Sequence, residues 1–147
     1  MKNFKLNNIH YIIMNYLSVI FMTLVFQFMK DIEWTWLFFT TEVFFLTIFI
    51  ISFYFAYYKT KAWIFVHSSL DKLNEKESKI VGNTSKQSYV IFTIVVLLIL
   101  LLLSVTEFRI NIVFTVALIY FAHILPASII VFKNRIEGTK EESDNDK

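Results

Sequence analysis

Glu42 is the residue in this sequence that most plainly asks for a chemical role, because it is a carboxylate set inside an apolar run. An ionisable group within a membrane span is costly and normally faces protein or water instead of lipid. Six to eight residues separate it from Trp34 and Trp36, which puts it ~9 to 12 Å below that boundary. From there it can snorkel to the surface or meet a partner such as Arg109. Its chemical role would be to bind a proton or a cation; its structural role, the one expected, is an interfacial carboxylate.

His123 stands three residues before Pro126, whose missing N–H leaves the carbonyl of Ala122 without its usual helical donor. An imidazole there could relay protons, although a hydrogen bond across the bundle is the expected use. His10 and His67 fall near the ends of apolar runs, and no pair of histidines has the i, i+4 spacing that builds a zinc site. With no cysteine, disulfides and thiolate metal sites are excluded. No catalytic, metal or cofactor site is expected.

The remaining polar candidates fall at matched depths. Counted from the same side of the membrane, Asn15, Ser52, Thr93 and His123 lie roughly 8 to 14 Å inward, so four helices can share one polar layer. Gln27, Glu42, Ser104 and Asn111 make a second layer nearer the other side, with Glu107 and Arg109 as its rim. The expected work of such residues is to glue helices together, at ~0.6 kcal/mol per interhelical hydrogen bond on average. Ser52, Ala56 and Thr60, spaced by four, form a small-residue face suited to close helix packing, inside this chain or against another.

The elements that must position these residues are membrane spans. A hydrophobic content of 56% in 147 residues, with mean hydropathy +0.58, is too apolar for a soluble domain of this size. Two glycines and one proline leave few places to break a helix. The runs 9–29, 34–58, 89–106 and 110–132 are each read as a transmembrane helix; the first, 21 residues long, reaches ~31 Å, enough for the hydrocarbon core. A signal peptide is the competing reading of that run, but it is too long and Gln27-Phe28-Met29-Lys30 offers no small-residue cleavage site. Trp34 and Trp36 at one end of the second run, and Tyr57, Tyr58 and Trp63 at the other, have the character of aromatic belts.

Between the second and third runs lies a polar stretch, 59–87. Ser68-Ser69-Leu70-Asp71 reads as a capping box for a connector helix at about 69–81, ended by Gly82-Asn83. Its Leu70, Leu73, Ile80 and Val81 form a weak stripe that could lie on the membrane, though a solvated connector is the plainer expectation. Glu107-Phe108-Arg109 is short enough only for a tight turn, so the third and fourth runs form a helical hairpin. From Lys133 the composition turns polar, and 133–147 is expected to be a disordered tail.

Positive charge gives the orientation. With the N-terminus inside, twelve of the 14 Lys and Arg residues fall on the cytoplasmic side, leaving Lys30 and Arg109 outside. The fold class is therefore all-α: a polytopic membrane protein with four transmembrane helices in two antiparallel hairpins and both termini cytoplasmic. The abundance of Ile, Lys, Asn and Phe points to an AT-rich bacterial genome and so to the bacterial cell membrane. No nucleotide motif, Gly-Ser nucleophile arrangement or acidic cluster for divalent metal occurs, and nothing supports nucleic-acid binding. The expected function is that of a non-enzymatic accessory protein. It would bind the lipid bilayer and another membrane protein, such as a transporter, a sensor kinase or a membrane-targeted toxin, or a second copy of itself. The alternative is a minimal oligomeric transporter or channel using Glu42.

Overall fold

In the computed structural model, which describes residues 8–29, 36–105 and 110–145, all the regular structure is helical. The elements are α1 (Asn8–Met29), α2 (Trp36–Phe53), α3 (Ala62–Val66), α4 (Glu75–Val105) and α5 (Ile112–Asn145). Four stretches are long and apolar enough to cross a membrane: Ile9–Phe28, Trp36–Tyr58, Glu75–Val105 and Ile112–Lys133. Many of their hydroxyl residues bond back to their own helix. Thr23 donates to the Val19 carbonyl, Thr41 to Leu37, Thr47 to Val43 and Ser104 to Leu101. The loops expected to hold Lys30, Trp34, Glu107 and Arg109 lie outside the described residues.

α2 does not simply end at Phe53. It widens into a π turn, Tyr54–Tyr58, in which the Lys59 N–H reaches the carbonyl of Tyr54 at 2.8 Å. Thr60 closes the segment by donating to the Ala56 carbonyl and accepting from the Ala62 N–H. Lys61 then adopts a left-handed conformation, φ 59°, which redirects the chain into α3. This sequence of turns buries the adjacent residues Ala56 and Tyr57 together. Tyr57, expected in an interfacial belt, is fully buried, whereas Tyr58 is exposed.

The connector differs from expectation. A short 3-10 turn at Leu70–Lys72 takes the place of the start of the expected helix, and α4 starts at Glu75. Its cap is reciprocal: Asn74 Oδ1 accepts from the Glu77 N–H at 2.8 Å, and Glu77 Oε2 accepts from the Asn74 N–H at 3.1 Å. From there one helix of 31 residues, ~46 Å long, runs through Gly82-Asn83 into the third span. Gly82 costs about 1 kcal/mol inside a helix, and it would end one only in the left-handed region, which it does not adopt. Val81, Thr84 and Ser88 are buried, so this end of α4 presents a face to the bundle, while Ile80 stays exposed.

α5 is capped by Asn111, whose Oδ1 accepts from the Phe114 N–H, and it contains Pro126 without ending there. Its helical backbone continues to Asn145, across the stretch expected to be a disordered tail. Between Lys133 and Asn145 the Lys, Arg, Glu and Ile residues are adequate helix formers, and only Gly138 strongly opposes continuation.

α1 packs most extensively on α2, and α5 packs on α4, α1 and α3. The core gathers at one end, where Ile12, Ala56, Tyr57, Ala62, Ile124, Ala127 and Val131 are buried together. Stacked rings reinforce it: Tyr11 on Phe55 and Tyr16 on Phe121, with centroids 4.9 and 5.3 Å apart.

Candidate functional site

The polar side chains at the core end of the bundle form two connected groups. Asn15 of α1 is fully buried and uses both amide hydrogens across the helix boundary, donating to the Phe49 carbonyl at 3.4 Å and to Ser52 Oγ at 3.3 Å. Its Oδ1 accepts from the Tyr120 hydroxyl of α5 at 2.5 Å. One amide therefore ties three helices. Ser52 passes its own hydrogen to the Phe49 carbonyl.

The second group centres on Ser128 of α5. A hydroxyl has one hydrogen and two acceptor sites. Ser128 gives its hydrogen to the Ile124 carbonyl at 3.1 Å, so it accepts from Tyr57 at 2.9 Å and from Tyr16 at 3.0 Å. Its hydrogen-bonding capacity is then fully used. α1, the π turn and α5 are joined by this serine.

Farther along the bundle, Asn111 Nδ2 donates to Gln27 Oε1, linking the end of α1 to the start of α5. Because Asn111 also caps α5, the same side chain fixes both the helix start and its neighbour. Glu42 does not join this pair. It is half-buried, with Phe38 one turn before it against Phe26 and Phe45 one turn after it stacked on Phe21. Its Oε1 is buried and has no hydrogen-bond partner among the described residues. Arg109, the partner expected for it, lies outside them.

Of the expected inner layer, Asn15 and Ser52 meet, and His123 and Thr93 do not join them. His123 is exposed and its Nδ1 lies 2.8 Å from the Ile119 carbonyl of its own helix. It sits one residue away from the inward stripe Ala117, Ile124, Val131, which turns it ~100° round the axis. Ser104 is likewise exposed. His10 and His67 are exposed too, the latter stacked on Trp63 at 4.0 Å. Among the described residues no group of acids and histidines could hold a metal ion.

Ser52 and Ala56 are fully buried and Thr60 half-buried, so the small-residue face lies inside the bundle. What sequence reasoning missed were Tyr16, Tyr57, Tyr120 and Ser128. The available signal was that Tyr16 and Tyr120 fall well inside apolar runs, where a phenol needs a partner.

A groove of about 370 Å³ opens between α1, α4 and α5, bounded by Ile20 and Leu24, by Ile91, Val95 and Ile99, and by Ala117, Leu118 and Phe121. Compared with known protein families, curated proteins and solved structures, the chain matches none.

Proposed function

We propose that this chain is an integral membrane protein of four transmembrane helices, in two antiparallel hairpins with both termini cytoplasmic, that acts by binding another membrane protein and catalyses nothing. The cell membrane is its address in this reading. The observation that carries it is the state of α4: from Tyr89 to Val105 not one residue is buried, and Leu97, Leu98, Leu101 and Leu102 are all largely exposed. Helices in lipid associate through close packing, and a span so little packed on its own bundle offers a full face to another helix.

A photoreactive amino acid placed at Leu97 or Leu101 in cells tests this. A discrete protein adduct of one mass at these positions, and none from Ile50 on α2, is the expected result. Adducts with lipid alone at both positions would overturn it.

One observation favours a transporter as the second reading, namely the Glu42 oxygen without a partner among the described residues. Ion-dependent flux in liposomes that disappears in Glu42→Gln, with the protein still inserted, would establish that reading over the first.

A further inference from the structure

We propose that the groove between α1, α4 and α5 is a binding site for a lipid acyl chain, with the lipid's polar head at the Gln27–Asn111 end. On α1 the lining runs from Tyr16 to Gln27. That is 11 residues of rise, ~16 Å, about half the hydrocarbon core and so the depth of one leaflet. Over that length a groove of about 370 Å³ has room for a saturated carbon chain, whose non-bonded contacts lie near 4 Å.

The chemistry of the wall agrees with the shape. The polar side chains that border it are turned to other work. The Tyr16 hydroxyl bonds Ser128, Thr23 bonds the Val19 carbonyl, and Gln27 Oε1 accepts from Asn111. What remains toward the groove is hydrocarbon from Ile20, Leu24, Val95, Ile99, Ala117 and Leu118. An occupant with polar groups along its length would lose hydrogen bonds there. At the rim the chemistry changes. Gln27 keeps its Nε2 hydrogens, with no partner for them among the described residues, and these can donate to an ester or phosphate oxygen. Apolar wall and amide rim together match a phospholipid chain and the start of its head. A volume of this size is also within the ordinary range for small-ligand sites.

The proposal rests on the membrane reading above, and one experiment separates the two. The full chain is reconstituted in vesicles of phosphatidylethanolamine and phosphatidylglycerol containing a phospholipid with a diazirine on one acyl chain. After irradiation, mass spectrometry of peptides locates the adducts. They are expected to concentrate on Ile20, Leu24, Val95 and Leu118 about tenfold over the outward Leu97 and Leu101. Val95→Trp, which fills the groove from a partly exposed position, is expected to remove most labelling of Ile20 and Leu24, whereas Leu101→Trp leaves it unchanged. If Val95→Trp does not insert, Ile20→Trp fills the groove from the other wall, with labelling of Val95 and Leu118 as its readout. Uniform labelling of all lipid-facing residues, or groove labelling unmoved by the inserted filling variant, overturns the acyl-chain site while leaving the membrane reading intact. Release of the chain from the vesicles by an alkaline carbonate wash overturns both.

Discussion

Where α1, α2 and α5 meet around Asn15, Tyr57 and Ser128, side chains of separate helices are joined by hydrogen bonds whose donors and acceptors are nearly all used. Along α4 from Tyr89 to Val105, no residue is buried and the Ser104 hydroxyl bonds back to its own helix. The contrast is the reverse of what a soluble protein would show, since the α4 span holds the most apolar nonapeptide of the chain, residues 95–103. Lipid is as apolar as leucine, so an apolar side chain gains little by choosing protein over bilayer. Small residues, which allow close approach, and polar residues, which need partners, decide which helices hold together. Apolarity places a helix in the membrane, and it does not place the helix in the bundle.

Substitutions in the two regions can break or sharpen that contrast. The largest effect is expected from Ala56→Leu, because Ala56 has no exposed surface and lies beside Tyr57 in the core. Overpacking of this kind costs about 3 kcal/mol, and the measurement is loss of folded monomer on titration with a denaturing detergent. A full-strength monomer would mean that the joined region has slack. Asn15→Ala comes next, at about 2 kcal/mol for three cross-helix bonds of ~0.6 kcal/mol each. The same titration reads it, and Asn15→Asp would show whether shape alone is enough.

Ser128→Ala removes two acceptor sites and is expected to cost about 1 kcal/mol. Its sharper readout is the fluorescence or ultraviolet signature of Tyr16 and Tyr57, which lose their common partner. The smallest effect belongs to Leu100→Phe on α4, expected within about 0.5 kcal/mol of the parent because the side chain is half-exposed. A cost equal to that of Asn15→Ala would show that α4 is held as firmly as the rest.

Much of this was readable beforehand for reasons specific to particular residues. Runs of about twenty apolar residues are long enough, as helices, to cross a membrane, and the common level of Asn15 and Ser52 follows from the rise per residue. Level along the axis says nothing of direction around it, which is why His123 and Thr93, expected at the level of Asn15, do not join it. Direction was set by the stripe of Ala117, Ile124 and Val131, whose inward status depends on what packs against α5. The start of α4 was misplaced because two segments carry similar capping spacings, and Asn74-x-x-Glu77 formed where Ser68-x-x-Asp71 did not. The tyrosine partners of Ser128 were hidden because pairing across 71 and 112 positions leaves no local pattern.

The π turn at Tyr54–Tyr58 also governs which changes of chain length this protein can absorb. In a plain α-helix Tyr57 would stand ~140° round from Ser52, on the other side of the helix. The i→i+5 closure spreads one more residue over the turn and returns Tyr57 to the face that Ser52 occupies, so both reach the core. The turn is thus a one-residue insertion held within a helix. A chain one residue shorter between positions 54 and 58 can close as ordinary α-helix and keep the facing of everything on either side. The same gap placed between Phe45 and Phe53 would rotate the preceding stretch, Phe38 and Phe45 included, ~100° away from α1. In an alignment of chains built on this plan, length differences in the second helix should therefore collect at the π turn.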